Sequence, residues 1–303
     1  MASDLKYDTN FDPAYGEAVT VAPNVRRVTV NNPGPFTFYG TNAYLVGREA
    51  LAVIDPGPDD DAHFEALKRA IDGRPVSHIF ITHTHRDHSP LAARLKQETG
   101  ATILAEGPHR PARPLRIGEI NPLDASADYN LPIDRRLLDG EIIEGEGWAL
   151  ETILTPGHCA NHLCLGLVGT SALFSGDHVM AWATSIVAPP DGAMADYMKS
   201  LDRMLDRDER LYLPGHGGAL RTPKTFLRGL KAHRKMRELA ILDRLRRGDR
   251  TIPAIVAAIY RDTDPRLHGA AGLSVLAHLE DLVTRGLVVA EAEIAIDGTF
   301  RPV

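Results

Sequence analysis

The sequence predicts an α/β unit over residues 1–221 followed by a small α+β unit over 222–303. Short apolar runs alternate with helical periodicity through the first part, the pattern of a sheet flanked by helices. Several of those runs stop at a Gly or Pro turn that carries one His or Asp. Beyond Thr222 the chain changes to successive helical patterns closed by a short hairpin pattern. A length of 303 residues suits two domains or one large one, and an apolar fraction of 44% is ample for a core.

Residues 25–30, 43–46 and 51–54 read as strands, with polar interruptions at Gly40 and Gly47. Residues 63–71 read as a helix with Phe64, Leu67 and Ile71 on one face. Residues 77–81 make a nearly unbroken apolar strand that runs into Thr82-His83-Thr84-His85-Arg86-Asp87-His88. Ser89-Pro90 then predicts a helix start, with Ser as N-cap, Pro at the first helical position and Leu91 and Leu95 on one side. Residues 108–132 hold five prolines with little periodicity, which predicts a loop draped over the site. Within it Arg110, Arg113 and Arg116 are available to an anionic substrate, against the plainer reading of solvated surface arginines. Tyr39, Met180 and Trp182 are candidates for the pocket wall, with core packing an equal alternative. Strands at 150–154, 172–174 and 211–213 end in Thr155-Pro156-Gly157-His158, Ser175-Gly176-Asp177 and Pro214-Gly215-His216-Gly217.

From Thr222-Pro223 onward, Phe226, Leu227, Leu230, Met236, Leu239 and Leu245 recur at helical spacing up to Gly248. Residues 252–260 form a short helix and 273–283 another, stopped at Gly286, while 287–289 and 294–296 read as the two strands of a hairpin. Three helices and a hairpin make a winged-helix pattern. Residues 224–250 contain ten basic and three acidic side chains, a solvated helix face in the plainer reading and a phosphate-attracting patch in the sharper one. The exposed positions of 273–283 carry few Lys or Arg. The winged helix is therefore read as a wall of the active-site cleft or a homodimer surface, with nucleic acid second.

The stretch from His83 to His88 packs three imidazoles and a carboxylate into six positions. His83 and His85, two apart on extended backbone, project the same way, and Asp87 and His88 are offset enough to serve a second ion. With His158, Asp177 and His216, five His and two Asp gather on loops at strand ends. Mixed imidazole and carboxylate ligands suit Zn²⁺, and Fe or Mn fits the same set. Two such ions roughly 3.5–4 Å apart can share a hydroxide, because the pKa of bound water falls from 15.7 to about 7. They also polarise a carbonyl or phosphoryl oxygen of the substrate. Asp87, at once ligand and acceptor, is the candidate catalytic residue that holds or relays the proton. Cys159, beside His158, is read as a small packed residue rather than a ligand.

These segments resemble the metallo-β-lactamase superfamily. The resemblance rests on the H-x-H-x-D-H core from His83 to His88, Ile54-Asp55-Pro56-Gly57, Pro156-Gly157-His158, Ser175-Gly176-Asp177 and Pro214-Gly215-His216-Gly217. It implies a metallo-β-lactamase-type αββα sandwich with two divalent metal ions at one edge. It implies further that His83, His85 and His158 hold the first ion, that Asp87, His88 and His216 hold the second, and that Asp177 bridges them. Asp55 is implied to orient that edge without ligating. His162 resembles a position beside the same edge, with plain packing an equal alternative. The C-terminal unit resembles the small winged-helix domain attached to one lactamase-like branch of the superfamily.

The resemblance implies a hydrolase, and the chain departs from several branches. Only 38 residues separate Asp177 from His216, too few for the inserted nuclease domain of RNA-processing members. His85 stands where flavo-diiron oxidases place Glu, and Gly217-Gly218-Ala219-Leu220-Arg221 stands where glyoxalase II relatives usually place a Tyr/Asn pair. Ser89-Pro90 replaces the Gly-Gly that commonly trails the core. The leading expectation is hydrolysis of an acyl bond in a small molecule (ester, thioester or lactone) by a metal-bridging hydroxide. Phosphodiester cleavage of single-stranded RNA is the alternative, and a non-catalytic metal-binding regulatory protein is a minor one. Substrate contacts are not legible. No apolar run approaches the about 20 residues of a membrane helix, Met1 to Lys6 lack a signal pattern, and only two cysteines occur. A cytoplasmic protein without membrane attachment is expected, and β-lactam cleavage is not.

Overall fold

The computed structural model describes residues 5–303. Strands β1 (Val19–Ala22), β2 (Val25–Thr29), β3 (Asn42–Val46), β4 (Leu51–Ile54), β5 (Val76–Phe80), β6 (Thr102–Ala105) and β7 (Arg135–Arg136) form one sheet in chain order. It is antiparallel from β1 to β4 and parallel from β4 to β7. A second sheet is built from β8 (Ile142–Gly145), β9 (Trp148–Leu154), β10 (Leu163–Leu167), β11 (Ala172–Gly176) and β12 (Leu211–Pro214), in the spatial order β12-β11-β10-β9-β8. Only its β11–β12 pair is parallel. β3 and β4 are buried along their whole length, which is why they read as continuous apolar runs rather than as an alternating pattern.

Three apolar layers show the stacking. Val28, Leu45, Val53 and Ile79 of the first sheet pack on Phe64 and Leu67 of α1 (Asp61–Ile71) and Leu91 and Leu95 of α2 (Leu91–Thr99). Tyr44, Ile54, Phe80 and Leu104 on the opposite face meet Leu150, Leu163, Leu165 and Phe174 of the second sheet. Ile153, Cys164, Leu173 and Tyr212 on that sheet's outer face then pack on α3 (Met194–Leu205) and the first half of α4 (Pro223–Arg246). The order of layers is helix, sheet, sheet, helix, as the resemblance implied.

A fourth core lies beyond. Ile241, Leu242 and Leu245 at the end of α4 pack with α5 (Ile252–Ile259), α6 (His268–Thr284) and the short hairpin of β13 (Val288–Ala290) and β14 (Phe300–Pro302). The hairpin corrects one reading: the partner of β13 is Phe300–Pro302, not residues 294–296, which lie in the connecting turn. Phe300 is fully buried in this core, so its burial outweighs the apolar run Ile294-Ala295-Ile296 in setting the register. The start of α2 differs too. Ser89 makes no cap; its hydroxyl donates to Asp128 at 2.7 Å, tying the 108–132 loop to the base of the helix.

That loop does lie over the molecule, but its arginines hold it there. Arg113 pairs with Glu119 and with Glu280 on α6, each at 2.6 Å, and Arg116 reaches Glu280 at 2.9 Å. Arg110 forms a fork with Glu106. These pairs leave the three arginines engaged with protein carboxylates rather than open to an anionic substrate. Within residues 224–250 half of the ten basic side chains are paired, while Arg228, Arg246 and Arg250 stay exposed without a carboxylate partner among the described residues. Lys224, Lys235, Arg244 and Arg247 pair with Asp208, Glu238, Asp249 and Asp243, Lys231 pairs with Asp202, and Arg234 is buried. Among the described residues no helix is long and apolar enough to cross a membrane, and Cys159 and Cys164 are buried free thiols.

Two outcomes follow for stability. Phe300→Ala should cost about 3–5 kcal/mol in urea unfolding, whereas Ile296→Ala, at a side chain 45% exposed, should cost under about 1 kcal/mol; equal losses would contradict the register. Arg113 holds the Glu119 carboxyl down at about 2, below its usual 4.5. The loop anchor therefore contributes fully above that ordinary value and is lost as pH falls toward the folded one. Limited proteolysis of the 108–132 segment should accelerate across that acid window and not between neutral and pH 5.

Candidate metal centre

Five strand ends deliver the site. β4 stops at Asp55, whose backbone is left-handed (φ 47°), a conformation that Asp tolerates and that turns its carboxylate back under β5. β5 leads into His83, His85, Asp87 and His88, and β9 leads through Gly157 into His158. Gly157 has φ 140° and lies against the backbone of Tyr197 on α3, where any Cβ would collide. β11 and β12 end side by side, with the Gly215 amide donating to the Gly176 carbonyl at 2.8 Å, and this pairing sets Asp177 beside His216. Asn42 clamps the following turn through the carbonyls of Pro214 (3.1 Å) and Gly217 (2.9 Å), and the Tyr44 hydroxyl donates to Pro214 at 2.7 Å. A Cβ on Gly215 would lie 2.5 Å from Asp177 Oδ1 and 2.7 Å from His88 Cε1.

All seven residues read from the sequence as ligands meet here. His83 Nε2 and His158 Nε2 lie 3.0 and 3.1 Å from His85 Nδ1. His88 Nε2 and His216 Nε2 are 3.3 Å apart, with Asp87 Oδ2 at 3.4 and 3.2 Å from them respectively. Asp177 stands between the two groups: its Oδ2 is 3.3 Å from His216 Nε2 and 3.9 Å from His158 Nε2, and its Oδ1 is 3.6 Å from His88 Nε2. Candidate ligand atoms fall into sets drawn from His83, His85 and His158; His83, His88 and Asp177; and Asp87, His88 and His216.

The proton positions show that the site suits cations. His158 Nδ1 faces the Ile186 carbonyl at 2.7 Å, and His216 Nδ1 faces the Gly40 carbonyl at 3.3 Å. A carbonyl only accepts, so each Nδ1 carries a proton and each Nε2 is the nitrogen turned inward to the cluster. His88 Nδ1 donates to Asp55 Oδ2 at 3.0 Å. His83 Nδ1 donates to the Thr82 hydroxyl at 3.0 Å, which passes its own proton toward Asp55 Oδ2 at 2.6 Å. His83 Nε2 and His158 Nε2 both face His85 Nδ1, which can carry at most one proton, so this half holds more acceptors than donors, beside a buried Asp177 Oδ1 that lacks any hydrogen-bond partner. Imidazole and carboxylate donors of this kind fit divalent cations.

Electrostatics divides the centre. Burial first, and neighbouring imidazoles second, push the pKa of His83 far down and that of His85 to about 3; burial also lowers His158, so this half consists of neutral nitrogens. Burial also opposes charge on His88 and His216, but the Asp87 and Asp177 carboxylates prevail, raising His88 well above its usual range and His216 to about 9. In return those imidazoles overcome burial and hold both carboxyls far below the usual carboxylate range.

Asp55 reaches the centre through Thr82 and His88 without itself joining the cluster, and it also accepts the Thr82 amide at 2.8 Å. His162 donates from Nδ1 to Thr155 (2.8 Å) and accepts the backbone N–H of Asp177 at Nε2 (3.1 Å), so it props Asp177 from behind. Cys159 is buried against Asn161 and away from the cluster. Sequence reading missed Thr82, Asn42 and Asn161, whose amide donates to the Thr84 hydroxyl at 2.7 Å between the imidazoles of the loop. Their partners are remote in sequence, so no local pattern marks them.

The centre opens into a cleft of about 610 Å³. Met180 and Trp182 line it, one of the two readings left open for them, and Phe38 stacks on Trp182 at 4.7 Å; Tyr39 packs on Phe38 outside the cleft. Arg237 of α4, Tyr260 after α5 and Ser274 of α6 line the far side, so the C-terminal unit is a wall of the cleft. Replacing Asp55 by Asn removes the charged acceptor behind His83 and His88. We expect about 10–100-fold weaker metal binding in a chelator competition, with an unchanged circular dichroism spectrum. Wild-type affinity in Asp55→Asn would show that the carboxylate does not orient these rings.

Comparison with known proteins agrees with this geometry. Residues 36–216 match the metallo-beta-lactamase superfamily, and residues 251–297 match the beta-lactamase associated winged helix domain. The lactamase-like protein GME11357 of Pestalotiopsis microspora is 30% identical over 237 residues, covering 77% of this chain and 67% of its own. The atrochrysone carboxyl ACP thioesterase AgnL7 of Paecilomyces divaricatus is 28% identical over 77% of this chain and 69% of its own. A beta-lactamase domain protein from Burkholderia ambifaria superposes with a TM-score of 0.81 at 25% identity, over 99% of this chain and 97% of that one. With its paired sheets, its strand-end histidines and aspartates, and its C-terminal winged helix, the chain belongs to the metallo-beta-lactamase superfamily and is a hydrolase of that fold.

Proposed function

We propose that this protein is a metal-dependent acyl hydrolase acting on thioesters. The observation that carries the reading is the convergence of seven His and Asp donors, four of which (His85, Asp87, His158 and Asp177) line a cleft whose walls include Phe36, Leu123, Trp182 and Ile186. Such walls suit an acyl chain, while the polar floor receives the scissile carbonyl. The thioesterase name of AgnL7, a relative covering most of this chain, favours a thioester over an ester or lactone. In this reading residues 1–221 are the catalytic unit and 222–303 the winged-helix unit that closes the cleft.

His83, His85 and His158 would hold one ion, Asp87, His88 and His216 a second, with Asp177 between them, and Zn²⁺ is the ion proposed. Bound there, the ions supply an acidified water and an electrophile for the acyl oxygen. The remaining steps belong to the chain. Asp87 lines the cleft, and its side chain is 28% exposed, the most open of the seven donors whose exposure the geometry gives. As a carboxylate open to the cleft it is placed to take the proton of the attacking water. Attack forms the new C–O bond, the C–S bond breaks, and the proton held on Asp87 passes to the departing sulfur. Asp55 and His162 keep His83, His88 and the Asp177 backbone in register throughout.

The test is thiol release from a panel of acyl thioesters, with and without chelator, beside labelled single-stranded RNA. Chelation should abolish turnover and added Zn²⁺ should restore it. Asp87→Ala should lower kcat/KM by about 10²–10⁴-fold. His158→Ala should abolish turnover and reduce bound metal, with the fold retained. Chelator-resistant hydrolysis, or full activity in Asp87→Ala, would defeat the reading; cleavage of RNA with thioesters untouched would replace it by phosphodiester hydrolysis.

A further inference from the structure

The far wall of the cleft carries positive charge that no carboxylate among the described residues compensates. His233, Arg234 and Arg237 occupy one face of α4 and line the same cleft as His85, Asp87, His158 and Asp177. Arg234 is only 4% exposed, donates to the Ser185 carbonyl and lies 5.0 Å from the Tyr197 ring. Arg237 donates to the Ile259 carbonyl at 3.0 Å and stacks 4.5 Å from the Tyr260 ring. Carbonyls and ring faces solvate a guanidinium in part, yet neither supplies a negative charge.

The carboxylates nearby are already engaged. Glu238 pairs with Lys235 (2.7 Å) and Arg285 (2.9 Å), Asp281 pairs with Arg285 (3.3 Å), and Glu280 holds Arg113 and Arg116. Among the described residues neither Arg234 nor Arg237 meets a carboxylate. The Nε atoms of both arginines and Nδ1 of His233 are buried without any hydrogen-bond partner. Burial and the two guanidiniums hold His233 at about 4, so it is a neutral hydrogen-bonding group and the charge resides on the arginines. Burying guanidinium charge without a counter-anion is costly, and the open cleft beside it admits one.

We propose that His233, Arg234 and Arg237 form an oxyanion-recognition subsite that binds a carboxylate or phosphate carried by the substrate. The planar fork of Arg237 suits either group. Which substrate carries the anion rests on the thioester reading; the binding of an oxyanion at this wall does not. On a thioester the anion has two sources, an acyl-side carboxylate or a phosphate on the thiol-side carrier arm.

The test compares three substrates on the metal-loaded protein: the butyryl and succinyl thioesters of N-acetylcysteamine, and butyryl phosphopantetheine. We expect kcat/KM to favour at least one charged substrate over the neutral one, mainly through KM, and the favoured substrate identifies the source. In Arg237→Gln that preference should fall by about 10–100-fold, and Arg237→Lys should restore part of it. A general disturbance of the cleft lowers all three substrates alike and leaves the ratio intact, so an unchanged ratio overturns the proposal, as does equal use of all three by the wild type. If no thioester is cleaved, the function proposed above fails alone. The subsite is then decided by thermal shift: phosphate or succinate should raise the Tm of the metal-loaded wild type more than that of Arg237→Gln, and equal shifts overturn it.

Discussion

Five imidazoles crowded into one buried centre must each dispose of a ring proton, and that requirement organises the architecture around it. For His83, His88, His158 and His216 the proton sits on Nδ1 and points outward to an acceptor built into the fold. Asp55 serves two of them, one directly and one through the Thr82 hydroxyl. Its left-handed backbone is the conformational cost of bringing one carboxylate beneath both rings. The Ile186 and Gly40 carbonyls do the same for His158 and His216 from two separate loops. Remove these acceptors and the Nε2 atoms no longer converge.

Convergence also depends on the two sheets being pressed together. The first sheet brings Asp55 and the His83 to His88 loop, and the second brings His158, Asp177 and His216. Tyr44 shows the coupling: its ring packs on Phe174 between the sheets at 5.1 Å while its hydroxyl holds Pro214, next to the turn that carries His216. The apolar layer between the sheets thus sets the separation of the donors. Changes in that layer are expected to reach metal binding as well as stability. Opposed electrostatic environments then divide the assembled donors into a neutral trio of nitrogens and a half rich in carboxylate.

The C-terminal unit contributes in a different way. α4 begins in the core outside the second sheet, through Phe226, Leu227 and Leu230, and ends in the separate core of the winged helix. A single continuous helix therefore joins both units, and its cleft-facing turn holds Arg234 and Arg237. Arg113, Arg116 and Glu280 add a second tie between the long loop and α6. The donors for chemistry come from one unit, whereas much of the wall that a substrate would meet comes from the other. Binding preference can thus change by substitution in the winged helix without touching a donor.

Legibility followed the range of the interactions. The donor residues stood out because each is tied to its own strand end by a few residues of Gly- and Pro-rich turn, a local pattern with dense and unusual composition. The four-layer order came from the resemblance of the donor motifs to a known family, whereas the α/β class was legible from the periodicity of buried strands and amphipathic helices. The hairpin register, the true role of Ser89 and the fate of the loop arginines were not, because each depends on a partner far along the chain: Phe300 in the last core, Asp128, and Glu280. A basic count over residues 224–250 left both a solvated helix face and a phosphate-attracting patch open, and pairing with Asp202 and Asp208 and burial of Arg234 reduce the charge it exposes. Residue type and spacing alone determine which groups can bind a cation and where the backbone must turn to present them. Which atom of each imidazole faces inward, what stands behind it and which charges remain unpaired in the cleft are decided only when distant segments pack, because a hydrogen bond or ion pair is a property of two places in the chain at once.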